Sequence, residues 1–474
     1  MTTPGDESAD PVARAEELIR LVAIGLATLG PAGWQRLDAT FVLAARTQLD
    51  FVVFSDDSGR SRQIPPTDEV REHVRGLREL SAQLSDGPWW RMLLRLTSRG
   101  EMEVDYDYGD EPFPPEHTLD DEVYRADLEL FPRSQVPIWL AARLRGGDGQ
   151  RRPADLAARQ AREDIAAGER GTLSRNDFPA LPALWARWAV IASAFVAVGS
   201  PWGPRVLPSL GFFEGSRHSG STLYRLPGGR AVLSGGVWNA PELDAVYNGD
   251  APMPAYYSGA PAWVADQVLN PRAGTGLLTF CYWWEGGSWY RGASPSSEAL
   301  AEAVPAVWNG DTVVDVVAGL LGPDTSARAR AGIATLVTAA EIGIVTRDTL
   351  LDVYGDAESF DIDGAFLQLT MAGVALTLPD PLPREEAIAT VRRHIEAGGA
   401  DTTGYPLDEL RADRIGVGWM VFVPVEPGEM AIGRAIFYLA DDGVLESSTS
   451  SVAPSVYIPE FERRFQQRHG AVDA

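Results

Sequence analysis

The chain has no lysine: all 41 of its basic residues are arginine. That excludes a Schiff-base lysine, a lysine general base and the cation of a P-loop. Cysteine is nearly absent too. Cys281 stands alone, so no intrachain disulfide framework can form, and a reducing compartment fits. The five histidines, His73, His117, His218, His394 and His469, contain no pair at helical ligand spacing, and with a single thiol beside them they make no zinc site. Long apolar runs are also missing. The longest, Trp188 to Val198, is well short of the ~20 residues a membrane-spanning helix needs. Met1 to Asp10 is polar and acidic and lacks the basic region that opens a secretory signal. The expectation is a cytoplasmic protein without metal, cofactor or membrane segment.

Positive charge is itself scarce. Sixty-six acids against 41 bases leave a net charge of −25 at pH 7. Such a field repels nucleic acid and anionic membranes and attracts basic partners. The length of 474 residues exceeds one ordinary core and points to several domains of ~100 to 200 residues. Helix-period and strand-period stretches alternate with Gly/Pro punctuation throughout, which defines an α+β, multi-domain chain of small mixed or antiparallel sheets, each packed with helices.

Five segments follow from the composition shifts. Residues 1–145 read as an α+β domain. Asp10-Pro11 opens a helix whose Leu18, Val22, Leu26 and Leu29 share a face, and Thr67 to Leu84 repeats the pattern with Val70, Val74 and Leu77. A hairpin, Arg91 to Thr97 and Glu101 to Tyr108, comes after Trp89-Trp90. In its second strand Glu101, Glu103, Asp105 and Asp107 point one way and Met102, Val104, Tyr106 and Tyr108 the other. Between Glu101 and Glu129 stand twelve acids and one base, Arg125. Such a row reads as a solvated strand face or, since uncompensated like charges along one strand are destabilising, as a surface for a basic protein; a divalent cation is disfavoured because regular alternation spaces the carboxylates too widely for one ion.

Residues 146–178 read as a charged helical linker, 179–295 as a middle α+β domain with an aromatic hairpin around Tyr282, Trp283, Trp284, Trp289 and Tyr290, and 296–380 as mainly helical. Residues 381–474 read as helix, three strands, helix. Gly416 to Val423 is apolar on both alternating faces, as in a strand covered on both sides. Ile432 to Leu439 is the second strand, Asp441-Asp442-Gly443 is a turn, and Val444 to Ser451 returns from it. The last helix is expected over Pro459 to His469. Asp441, Asp442 and Glu446, at this hairpin, are further exposed candidates for a basic partner.

Catalytic constellations are weak by comparison. Gly416-Val417-Gly418 lacks the third glycine of a dinucleotide fingerprint and opens a strand. Asp361-Ile362-Asp363-Gly364 lacks the ligand spacing of a calcium loop and reads as a turn. The loop Gly215 to Ser221 places Ser219 beside His218, raw material for a hydrolase, with no local acid to orient the imidazole.

Two stretches resemble immunity proteins that neutralise bacterial polymorphic toxins. Residues 12–145 resemble the YezG-like family through the first helix ending near Trp34, the helix Thr67 to Leu84, Trp89-Trp90 and Glu103-Val104-Asp105-Tyr106-Asp107-Tyr108. Residues 383–452 resemble the small YrhB-like domain through Gly418-Trp419-Met420-Val421-Phe422, Ile432-Gly433-Arg434-Ala435-Ile436-Phe437 and the Asp442-Gly443 return. The resemblance implies a non-catalytic protein that binds and neutralises a basic toxin domain. A multi-module scaffold or secretion-linked adaptor is the alternative, and a hydrolase built on the middle domain is a third.

Overall fold

The computed structural model describes residues 10–84, 86–146, 149–355, 359–376, 379–399, 402–425 and 433–468. Among them are three antiparallel sheets, of five, seven and four strands, each accompanied by helices, so the α+β multi-domain reading holds. By density of internal contacts the chain forms two compact units. One comprises residues 1–172, 232–283 and 290–295, the other 173–231, 284–289 and 296–474. The two interleave along the chain, which the five sequential segments did not anticipate.

The first unit begins with α1 (Pro11–Thr28), which starts where its residues dictate: the Asp10 carboxylate accepts the Val12 N–H and proline fills the first turn. There follow β1 (Trp34–Ala44), β2 (Thr47–Asp56), β3 (Ser61–Gln63), α2 (Asp68–Leu84), β4 (Arg91–Thr97) and β5 (Met102–Asp107). The strand order is β3-β2-β1-β4-β5, which leaves β5 at an edge. One face of this sheet, with Leu37, Ala39, Phe41, Val52, Met92 and Leu94, is sealed by Leu18, Val22 and Leu26 of α1 and Val70, Val74 and Leu77 of α2. Gly25 lets the two helices close in, since a Cβ there would lie 2.6 Å from Val70 Cγ2.

The opposite face is covered at one end only. There α3 (Asp121–Leu130) and α4 (Ile138–Leu144) place Tyr124, Trp139 and Leu140 over Val42, Ala44 and Trp90. Trp139 docks on the sheet domain, with its indole N–H donating to the Gly109 carbonyl at 2.7 Å. The stretch 146–178, expected to be a charged helical linker, carries α5 (Ala154–Ala167) and β6 (Thr172–Ser174). α5 is more than a solvated helix, because buried Asp164 accepts the Gly259 N–H at 2.7 Å.

The second unit contains α6 (Leu181–Ala197), apolar nearly all round and accordingly buried along its length. After it come β7 (Arg205–Leu207), β8 (Leu210–Glu214) and β9 (Gly220–Leu226), paired in sequence. The elements β10 (Arg230–Gly236), α7 (Pro241–Tyr247), α8 (Pro271–Thr275), β11 (Phe280–Glu285) and β12 (Ser288–Arg291) complete the middle of the chain, α7 and α8 belonging to the first unit. Trp289 donates its indole N–H to the Pro179 carbonyl at 2.8 Å and packs on Phe178 at a tilt of 58°, so this part of the aromatic hairpin is core. Four helices then cluster beside α6: α9 (Gly310–Leu321), α10 (Ala327–Glu341), α11 (Arg347–Tyr354) and α12 (Ile362–Ala372). Asp361, read as part of a turn, is the N-cap of α12 and accepts the Gly364 N–H at 2.8 Å.

The C-terminal sheet has four strands rather than three. It follows α13 (Arg384–Ala397) and runs β13 (Arg411–Ile415), β14 (Gly418–Phe422), β15 (Ala435–Ala440), β16 (Leu445–Thr449). β13 escaped detection because Arg411, Asp413 and Arg414 mask any apolar alternation. β14 and β15 are covered on both faces as expected: Ala387, Val391 and Ile395 of α13 pack on Val421 and Leu439, while Phe461 and Phe465 pack on Tyr438 and Ala440. Each of these buried phenylalanines contributes about 1.5–3 kcal/mol by area removed from water. Their helix, α14, spans Pro454–Arg468 and carries Pro459 inside, so it starts five residues before the expected Pro459. Ile432 and His469, used to delimit the second strand and last helix, lie outside the described residues.

Candidate functional site

The register of β4 and β5 decides what the acidic row can do. Arg91 lies opposite Asp107, Leu93 opposite Asp105 and Arg95 opposite Glu103. These residues share the outer face of the sheet with Asp38 and Thr40 of β1. Asp107 is taken up internally, because Arg91 donates to its Oδ2 through both Nε, at 2.8 Å, and Nη2, and the Gly109 N–H donates to Oδ1 at 2.7 Å. Glu103 accepts from Arg95 Nη1 at 2.6 Å, Arg95 Nε reaches Asp38 at 3.3 Å, and Arg36 Nη2 donates to the same Asp38 oxygen at 2.7 Å. The expected uncompensated row is therefore corrected: Asp107 and Glu103 are ion-paired, and the outer face is an alternating ladder of both signs.

Glu101 and Asp105 are the exceptions. The rung opposite Asp105 is Leu93, not arginine, and its carboxylate instead accepts the N–H of Tyr106 at 2.9 Å. Glu101 accepts the Thr97 hydroxyl at 3.3 Å. Between Asp105, Glu103, Arg95, Asp38 and Thr40 lies a shallow groove of about 140 Å³. Arg36, Asp38, Leu93 and Arg95 were not singled out from the sequence. The alternation Arg91, Leu93, Arg95 in β4 carries the same period-two signal as β5 and could have revealed them.

Beyond the strand, nine of the twelve acids between Glu101 and Glu129 are exposed: 101, 103, 105, 110, 111, 116, 120, 122 and 129. The one arginine among them, Arg125, donates to the Leu144 carbonyl at 2.7 Å. Of the other three, Asp121 takes Arg143 Nε at 2.7 Å and Asp107 is held as above. The third, Asp127, is fully buried. Its carboxylate receives Arg78 Nη2 at 2.9 and 2.8 Å, Trp90 Nε1 at 2.9 Å and the backbone N–H of Ala45, a residue in left-handed backbone at the β1–β2 turn. This is a structural ion pair, saturated with donors.

The C-terminal candidates are corrected more completely. Asp441 receives both terminal nitrogens of Arg414, at 2.7 and 2.6 Å, and the Leu382 N–H at 3.0 Å, with its side chain 6 % exposed. Asp442 pairs with Arg468 at 2.8 Å. Glu446 accepts from Arg464 Nε at 3.0 Å and from the Tyr457 hydroxyl at 2.9 Å, and the arginine holds its carboxyl below the ordinary value of 4.5. All three are tied into the fold, two of them by arginines one turn apart on α14.

Ser219 is 1 % exposed in the tight loop between β8 and β9, where His218 takes left-handed backbone and donates its N–H to the Gly215 carbonyl. A hydroxyl so buried is poorly presented to a substrate. A larger cavity, about 760 Å³, lies in the first unit beside Asp86, Tyr108, Asp110, Arg133 and Asp244. The Arg133 guanidinium stacks 3.7 Å from the Trp90 ring centre, and burial lowers its pKa to about 10. Asp86 is held by the Ser134 hydroxyl and N–H, which keep its carboxyl below the usual range. Among the described residues no group of three or more His, Cys, Asp or Glu side chains could hold a metal ion, and no helix is long and apolar enough to cross a membrane.

Compared with protein-family models and with curated proteins, the chain matches none.

Proposed function

We propose that the chain is a non-catalytic immunity or antitoxin-like protein of the cytoplasm that binds a basic toxin domain and covers its active site. The observation that carries this reading is the surface between Glu101 and Glu129, where nine acids are exposed and the one arginine is engaged with a carbonyl. A net charge of −25 adds a long-range field of the same sign. Together they attract a cationic protein to this stretch and raise its association rate, an effect that salt weakens. The resemblance of residues 12–145 and 383–452 to immunity families points the same way.

The test is to mix the purified chain with isolated toxin domains encoded beside its gene and to follow complex formation and loss of toxic activity. A complex whose association rate falls steeply between low and physiological salt, with protection on co-expression, supports the reading. Absence of both protection and complex for every neighbouring toxin overturns it.

A further inference from the structure

The outer edge of β5 has backbone groups that no strand among the described residues pairs with. Antiparallel strands bond through alternate residues. Thr97 N–H donates to the Glu101 carbonyl and Trp90 N–H to the Asp107 carbonyl, so the odd-numbered residues of β5 spend their backbone groups on β4. Met102, Val104 and Tyr106 turn theirs outward, and among the described residues no backbone group pairs with them. Only the Tyr106 N–H is closed, by the carboxylate of Asp105.

An open edge is a template for another strand, and its side chains select which one. A second copy of β5 would bring Glu103 and Asp105 against their own kind, which disfavours self-pairing. A strand with Lys or Arg on that face would instead meet Glu103, Asp105 and Glu101. On the opposite face Met102 is exposed and Val104 half-buried at the rim of the core, so small apolar residues fit there.

We propose that the β5 edge, Met102 to Asp107, takes an extended segment of the partner as a sixth strand, with Lys or Arg alternating with apolar residues. This rests on the reading that the partner is a basic protein. Pairing begins at Met102 and Val104, whose N–H groups are free. It extends to Tyr106 when Asp105 exchanges that N–H for a cation of the incoming strand.

The probe is a blocked peptide of alternating Lys and Val, titrated against the full chain, with the Glu–Val peptide and a Lys–Val peptide N-methylated on its pairing edge as controls. Binding of the first alone is expected, with amide hydrogen exchange slowed at Met102 and Val104 and unchanged at Glu103, which already bonds β4. The Val104→Pro variant removes one outward N–H at an edge position that tolerates proline, and it should weaken the peptide by about tenfold or more through lost main-chain bonds. Equal binding of the N-methylated peptide, or protection confined to amides other than Met102, Val104 and Tyr106, overturns strand addition even if Val104→Pro fails to fold. The two readings separate cleanly. A toxin domain that binds wild type and Val104→Pro alike keeps the proposed function and overturns strand addition, whereas peptide pairing without any toxin complex does the reverse.

Discussion

Two stretches of this chain look alike as sequence: the strand Glu101 to Asp107 and the hairpin Asp441 to Glu446, each with several acids on strand-like residues. In the structure they differ in what faces them. The C-terminal hairpin lies against α14 and β13, from which Arg464, Arg468 and Arg414 each meet one carboxylate. The β5 row meets Arg91 and Arg95, but the middle rung is Leu93, and among the described residues no strand pairs with the far edge of β5. Acids of the first kind are structural. In the second, Glu101 and Asp105 have no arginine opposite them, and the β5 edge keeps backbone groups open to a partner.

Four measurements would break or sharpen that contrast. The largest effect is expected within the acidic stretch itself, at the acid that is wholly internal. Asp127→Ala leaves Arg78 buried without its partner and should lower stability by about 3–5 kcal/mol in denaturant titration. A loss under 1 kcal/mol would mean the pair contributes little. Next, Asp441→Ala removes charged hydrogen bonds from Arg414 and Leu382 and should destabilise by about 1.5–3 kcal/mol, where a neutral result would return this residue to the exposed class.

A third contrast lies in the dependence on pH. Glu446 has a folded pKa below its ordinary 4.5, so its stabilisation is present above that value and is lost as pH falls through the folded pKa. His117 is also lowered, from 6.5, by burial and then by Arg91. The unfolded chain therefore takes up a proton there first, and stability contributed by neutral His117 is lost as pH drops below 6.5. Melting temperature followed against pH should decline in both windows. Glu446→Gln should flatten the acid window and His117→Gln the one below 6.5. The smallest change in stability is expected for Asp105→Asn, within about ±0.5 kcal/mol for an exposed site without an ion pair. Its binding of a basic partner should nonetheless weaken and lose salt sensitivity, and undiminished binding would remove Asp105 from the site.

Much of the fold was legible in local chemistry. Asp10-Pro11 marks where α1 begins, the alternation from Glu101 to Tyr108 sets the two faces of β5, and Gly416 to Val423 announces a strand covered on both sides. Local rules failed where an element is highly charged, as in β13, or where a proline sits inside a helix instead of opening it, as Pro459 does. The candidate site was half legible. Glu101 and Asp105 keep the openness expected of them, whereas Asp441, Asp442 and Glu446 do not, and Arg36, Asp38, Leu93 and Arg95 emerged only from strand register.

Composition and spacing alone determined the excess of acid, the absence of lysine chemistry and of any disulfide framework, and the period of each long helix and strand. These depend on residue identity and on neighbours a few positions away. Which acids are taken up by an arginine and which stay at the surface was decided by tertiary structure. Arg78 reaches Asp127 across 49 positions and Arg464 reaches Glu446 across 18, and no local pattern encodes such pairings. Coulombic and hydrogen-bond compensation acts over a few ångströms of space, and only the fold sets those distances.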